Sequence, residues 1–162
     1  MLIREMNFSD IDRVRDIAIA AWRDTYSSFI PEEIQDKVLK DAYSNEEMDN
    51  RFKFSLNLVA ENNEEIMGYV FFSGNLSDKD VFLESLYIHP NHQGKGIGKQ
   101  LMLTGVANFK ELTTLSLTVY KGNRNISFYE REGFKAIKEI NGEFYGQPLV
   151  FIMMKKNLLN ME

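Results

Sequence analysis

A mixed α/β fold around one mixed sheet, in the order β-α-α-β-β-β-α-β-α-β-β, follows from three observations. Short apolar runs alternate with helical apolar spacing only in the second half of the chain. The run Val81–Ile88 is apolar on both parities, as in a strand covered on both faces. It is followed by the glycine loop Gln93-Gly94-Lys95-Gly96-Ile97-Gly98 and at once by an apolar helical stripe. Strand, glycine loop and helix in that order form a phosphate-binding layout. Small residues let an anion reach the backbone, and the first amides of the helix have no intrahelical partner.

The elements follow in order. Leu2–Met6 reads as a short first strand. Ser9 can cap a helix, with Asp12 three residues on, and Ile11, Val14, Ile17, Ala18, Ala21 and Trp22 give that helix an apolar face. Pro31 suits the first turn of a second helix faced by Ile34, Val38 and Leu39. Ser44 or Asn45 can cap a short third helix through Phe52. Leu56–Ala60 and Ile66–Phe72 read as strands joined by a turn at 61–65. After Val81–Ile88 and its loop, Ile97, Leu101, Met102, Gly105, Val106 and Phe109 mark the next helix. Leu115–Val119 is another strand. Asn123 or Asn125 caps a helix through Glu132 that Gly133 ends. Phe134–Ile140 and Leu149–Met154 close the chain as a hairpin, with Asn141-Gly142 as the turn signal.

Composition allows one domain over residues 1–162. The chain is 44% hydrophobic and 12% aromatic, enough for a core. No apolar run approaches the 18 or so residues of a membrane span, and the first residues show no signal-peptide pattern. Cysteine is absent. That excludes disulfides, thiolate metal sites and a cysteine nucleophile, and it fits a cytoplasmic location. A net charge of −5 speaks against general nucleic-acid binding and suits cationic small molecules. His89 and His92 stand three apart without cysteine or a nearby acidic cluster, so no metal is expected. There is no G-x-S-x-G motif, which leaves covalent catalysis without a nucleophile.

The glycine loop is of a particular kind. A Walker A loop fails, because Gln100 follows Gly98-Lys99 and Gln93 stands where the first glycine would be. A dinucleotide fingerprint fails too, since its third glycine would fall on Lys99 or Leu101. What remains, Gln93-x-x-Gly96-x-Gly98 after a strand ending in Ile88-His89-Pro90, resembles the [RQ]-x-x-G-x-[GA] signature of the GCN5-related N-acetyltransferases. The segment Phe128-Tyr129-Glu130-Arg131-Glu132-Gly133-Phe134 resembles the F-Y-x-x-x-G-F segment of the same family. The likeness covers nearly the whole chain, and its specific motifs lie in Val81–Gly98 and Asn123–Phe134.

The resemblance implies acetyl-CoA as cofactor, bound through its pyrophosphate by the amides of Gln93, Gly94, Lys95, Gly96, Ile97, Gly98 and Lys99, with the two lysines adding charge. It implies that the backbone of Leu86, Tyr87 and Ile88 pairs with the pantetheine arm like an added strand, so the next strand must splay away. Tyr129 would protonate the departing thiolate. The family's asparagine seven residues before that tyrosine is Gly122 here. Asn123 and Asn125 stand nearby, and either can reach pantetheine or cap the helix. Glu84 lies in an otherwise apolar strand, where a buried carboxylate is costly unless it is used with a raised pKa, pairs with a neighbouring Arg or Lys, or points by its parity to a wet cleft. The family often places its general base there.

The expected function is N-acetyl transfer to a primary amine by direct attack in a ternary complex. The expected acceptor is a small cationic amine, with a polyamine such as spermidine the leading candidate. The stretch Trp22 to Pro31 resembles polyamine-type acetyltransferases. Asp24 and Glu33 could hold distal ammonium groups, and Trp22 and Tyr26 could add cation–π contacts. Acetylation of a protein N-terminus, a lysine or another small amine is the alternative within enzymes, and a non-catalytic acyl-CoA sensor the alternative outside them. No nucleic-acid or membrane partner is expected. Aromatics of the last hairpin offer a surface for a homodimer.

Overall fold

The structure, a computed structural model, describes residues 1–160. Seven strands form one sheet: β1 (Leu2–Glu5), β2 (Ser55–Asn62), β3 (Glu65–Ser73), β4 (Asp80–Ile88), β5 (Thr114–Tyr120), β6 (Lys135–Phe144) and β7 (Gln147–Asn157). Their order across the sheet is β1-β2-β3-β4-β5-β7-β6, and every adjacent pair is antiparallel except β4–β5. The α-helices are α1 (Ile11–Tyr26), α2 (Glu32–Ala42), α3 (Asn45–Phe54), α4 (Ile97–Val106) and α5 (Ile126–Arg131). The mixed α/β class holds. The element order gains a helix, because the short segment after Ser44 is a full helix, capped by the Ser44 hydroxyl accepting from the Glu47 amide at 3.2 Å.

Apolar clusters cover both faces of the sheet. On one, Phe72, Leu115, Leu117 and Met154 pack with Leu101 and Met102 of α4 and Tyr129 of α5. On the other, Val59, Tyr69 and Phe71 pack with Ile17, Trp22 and Tyr26 of α1 and Met48 of α3. Phe71 and Phe72 go to opposite faces because strand side chains alternate with period two.

Two local expectations are corrected. The cap ahead of α1 is Asn7, not Ser9. The Asn7 side chain accepts from the Ser9 amide at 3.1 Å, and Asp10 accepts from the Asn7 amide at 2.8 Å, closing a capping box over one 3₁₀ turn. Asp10 is the member with a second partner, Arg4 at 2.8 Å, which is why it and not Asp12 is buried. The final hairpin turns at Tyr145-Gly146, with φ of +49° and +83°, as a two-residue turn requires. Asn141 and Gly142 lie inside β6. A Cβ on Gly142 would stand 2.5 Å from the Phe151 ring, so this glycine serves a close approach and not a turn. Phe144 and Phe151 face inward onto Tyr120, at ring distances of 5.7 and 5.2 Å. Tyr145 is the exposed aromatic of the hairpin, and its hydroxyl bonds Asp41 of α2. Among the described residues no helix is long and apolar enough to cross a membrane.

Candidate active site

The site begins with a defect in the sheet. Phe71 of β3 pairs with Ser85, but Phe72 pairs with Leu83, so Glu84 is left over as a β-bulge. A bulge bends and over-twists its strand. Beyond it, β4 leaves β5: their pairing is confined to Asp80–Thr114, Val81–Leu115 and Phe82–Ser116. Apart from the bulged Glu84, the backbone of β4 from Leu83 to Ile88 therefore keeps its β3 partner and has a free edge toward β5. That edge is what an extended ligand can join as an added strand.

Two cavities occupy the gap. The inner one, about 220 Å³, lies between Phe82–Tyr87 and Leu117–Tyr120, closed by Tyr26, Asn123, Asn125, Tyr129 and Phe151. The outer one, about 400 Å³, runs past Leu86–Ile88 to the glycine loop and is walled by Ala21, Thr25, Phe128 and Arg131. Leu86, Tyr87, Asn125 and Tyr129 line both, so they stand where the two meet.

The outer cavity fits a phosphorylated ligand. Gly94 and Gly96 hold φ of +78° and +77°, a region costly for other residues, and a Cβ on either would project into open space. Gly96 is the N-cap of α4 and no side chain caps that helix. Its first intrahelical bond is Gln100 N–H to Gly96 O at 3.1 Å, so the amides of Ile97, Gly98 and Lys99 have no intrahelical acceptor. They point where an anion can bind. Lys95 donates to His92 Nδ1 at 3.2 Å while His92 Nε2 meets Glu65 at 3.3 Å, and Lys99 lies 3.9 Å from Glu132. Lys99 thus lines the cavity and Lys95 stands on the loop beside it, each on a neighbour it can exchange.

Tyr129 is 7% exposed, and its hydroxyl has no hydrogen-bond partner among the described residues. Burial, and after it the nearby Tyr26 phenol, raises its pKa, so at neutral pH it is a proton donor. The two asparagines divide their tasks. Asn123 is buried, accepts from the Asn125 amide at 2.8 Å and donates to the Tyr26 hydroxyl at 3.2 Å. Both ends of its amide are committed to the protein. Asn125 lines both cavities with its side chain uncommitted among the described residues.

Glu84 is corrected in its surroundings. The bulge turns it to the wet inner cavity, where its side chain is 35% exposed, and the buried Arg51 guanidinium lies 3.8 Å from it. Of the readings open for it, an arginine neighbour and a wet cleft are the ones the structure shows, and a fully buried carboxylate is not. Glu84 is the one charged side chain lining the inner cavity.

The expected acceptor-binding set is dispersed. Trp22 is 4% exposed and packs on Tyr26 and Tyr120, a core residue with no ring face for a cation. Tyr26 is walled by Trp22, Phe29 and Tyr120, and only its hydroxyl end reaches the cleft. Asp24 pairs with Arg124, and Glu33 faces solvent on α2 beside Lys37 at 3.8 Å. Neither carboxylate lines the inner cavity. Four site residues went unread in the sequence. Ala21 gave only a core-facing helical signal, Thr25 sat in a stretch read for its aromatic and acidic neighbours, Arg131 sat inside a motif read for its tyrosine, and Arg51 gave no signal.

A splayed parallel pair, an uncapped helix behind a glycine loop and a protonated phenol at the junction define an acyl-CoA-dependent acyltransferase layout. The Acetyltransferase (GNAT) family description matches residues 12–134, and the chain belongs to that family as an acetyl-CoA-dependent N-acetyltransferase. Spermidine N(1)-acetyltransferase of Thermoplasma acidophilum is 28% identical to it, over 95% of this chain and 96% of that protein. The crystal structure of PaiA N-acetyltransferase from Thermoplasma acidophilum in complex with coenzyme A superposes with a TM-score of 0.81 at 24% identity, over 96% of this chain and 98% of the other. The ribosomal-protein-S18-alanine N-acetyltransferase from Escherichia coli superposes with a TM-score of 0.71 at 16% identity, over 99% and 98%. At these identities the structural likenesses establish the fold.

Proposed function

We propose that the protein transfers an acetyl group from acetyl-CoA to a small cationic amine, with a polyamine such as spermidine as the leading acceptor. The observation that carries the reading is Glu84: a single carboxylate, uncrowded by other acids, at the bulge that opens the cleft. The relative that acts on spermidine supports the acceptor class.

The cofactor supplies an activated acetyl thioester. The amides after Gly96, with Lys95 and Lys99, hold its phosphates, and the free edge of Leu86–Ile88 holds its arm, with the Asn125 side chain alongside. Glu84 draws the ammonium group into the inner cavity and takes its proton, directly or through a water. The freed amine would attack the thioester carbon, the C–S bond would break with Tyr129 giving its phenolic proton to the departing sulfur, and the proton shed by the attacking nitrogen would restore the phenol. Raised by burial, Tyr129 is a weaker acid than a thiol near pKa 8.5, so the transfer is driven by breaking of the C–S bond and by the phenol regaining its proton. Holding both reactants in one cleft supplies much of the rate.

The test is turnover of spermidine with acetyl-CoA, followed as released thiol. KM for spermidine should rise with salt, because an exposed multivalent cation is screened. Glu84→Gln should lower kcat/KM by roughly 10²- to 10⁴-fold while acetyl-CoA still raises the melting temperature. Acetylation of a peptide N-terminus with no polyamine turned over would end the polyamine reading and leave the acetyltransferase standing.

A further inference from the structure

The Asn123 amide has a forced orientation. The Asn125 backbone N–H needs an acceptor and finds the Asn123 side-chain oxygen at 2.8 Å, so the nitrogen end faces Tyr26 and donates to its hydroxyl oxygen at 3.2 Å. Tyr26 is 2% exposed. Its hydroxyl hydrogen has one acceptor within reach among the described residues, the Tyr87 hydroxyl at 3.2 Å. If Tyr26 instead accepted from both neighbours, its own O–H would point into the inner cavity, which its hydroxyl end reaches. With Tyr26 donating to Tyr87, the chain runs from Asn123 to Tyr26 to Tyr87 and ends at the junction of the two cavities, where a ligand carbonyl can take the last hydrogen. The Tyr87 oxygen is filled as an acceptor, and its O–H is left with no protein partner among the described residues. Tyr87 lines both cavities, at their junction, beside Tyr129.

We infer that the Tyr87 hydroxyl is a catalytic hydrogen-bond donor to the thioester carbonyl oxygen, aimed and polarised by Asn123 and Tyr26. This rests on the reading that the thioester lies in the cleft between β4 and β5. Acyl transfer places negative charge on that oxygen, and a preorganised donor in a site shielded from water stabilises it strongly. No proton leaves Tyr87. It donates a hydrogen bond while Tyr129 protonates the sulfur, so the two phenols act on different atoms. Burial raises the pKa of the Tyr87 hydroxyl well above its ordinary value, with the Tyr26 phenol adding to the effect, which keeps it a donor. Successive hydrogen bonds polarise one another, so the amide at the head of the chain strengthens the donor at its end.

The test needs no acceptor. Acetyl-CoA carrying a ¹³C label on the acetyl carbonyl is bound to the protein, and the carbonyl stretch is read by isotope-edited infrared difference spectroscopy. In the native protein the band should lie below its position in water. Tyr87→Phe should return at least half of that displacement, and Tyr26→Phe, which leaves the Tyr87 ring in place, a smaller part. Tyr87→Phe should also lower kcat by about 10- to 1000-fold. A native band displaced equally in Tyr87→Phe, with cofactor binding shown by a thermal shift, overturns the inference alone. So does a band that moves only in Tyr129→Phe. A native band at its position in water overturns both the inference and the placement of the thioester.

Discussion

Replacing Gly96 with Asp is the sharpest probe of the phosphate loop, and the structure allows its size to be worked out. At φ +77° both Asp and Asn are tolerated better than other side chains, and a Cβ meets nothing within 4 Å. Gly96→Asn therefore supplies nearly the same shape and strain as Gly96→Asp without the charge. The difference between the two variants isolates electrostatics. A unit negative charge about 5 Å from a phosphate charge is worth about 3 kcal/mol at an effective dielectric of 20 and about 1 kcal/mol in water. The site is open to solvent on one side, so the Asp variant should bind acetyl-CoA about 5- to 150-fold more weakly than the Asn variant. With ligand at 100 times the native dissociation constant, native protein gains about 2.7 kcal/mol, an increase of about 5–11 °C in Tm for a chain of this size. A variant matching native affinity except for the charge should keep between about 1.8 kcal/mol and a few tenths of that gain. The assay is thermal unfolding with and without acetyl-CoA at two salt concentrations, and the gap between Asp and Asn should narrow with salt. Equal ligand-induced shifts in native, Asn and Asp proteins, all cooperatively folded, would refute the placement of the phosphates on this loop.

Other outcomes follow from the same structure. Tyr129→Phe keeps the ring packed among Phe128 and Phe134 and removes only the hydroxyl, so kcat should fall about 10- to 1000-fold with cofactor affinity nearly unchanged. An unchanged kcat, measured where chemistry limits the rate, would reduce Tyr129 to packing. Asp10 bears on stability. Burial alone would raise its pKa, but the Arg4 guanidinium and then the Asn7 amide outweigh burial and hold it below the ordinary 3.8. A depressed carboxyl stabilises the fold fully above its unfolded pKa and loses that contribution as pH falls through its folded one. Stability should therefore drop more steeply below about pH 4 in the native protein than in Asp10→Asn, as read by urea midpoints across pH. Parallel pH curves for the two would show that the Arg4 pair contributes nothing to acid stability.

The motifs that were legible were those whose chemistry is written in consecutive residues. Gln93 to Lys99 and Phe128 to Phe134 each carry their meaning in a span shorter than two helical turns, and both landed on the cleft. Strand Val81–Ile88 was read from its apolar run, and the splay of its neighbour followed as a requirement of the added-strand use. What could not be read was set by pairing between distant segments. Glu84 stands in the same row of letters whether or not β4 is bulged, yet the bulge decides between a buried and a wet carboxylate. Asn141-Gly142 reads as a turn until Val150 and Leu149 are seen to pair with it. Asp24 was a candidate acceptor ligand until Arg124, a hundred residues on, was found against it. Trp22 was a candidate ring for a cation because it stands in the stretch that resembles polyamine-type acetyltransferases, but its helical spacing places it on the apolar face and buries it.

The short seam between β4 and β5 also gives the molecule a mechanical character. Two half-sheets, one of β1–β4 and one of β5, β7 and β6, are stitched by three residue pairs at one end and lean apart at the other. Such an object is weakest along its own binding groove, like a book held at the spine. A ligand that adds rungs to the open edge works as a clasp, tying the halves together where the sheet's own hydrogen bonds do not. The occupied protein should then resist pulling or slow opening along this line more than the empty one.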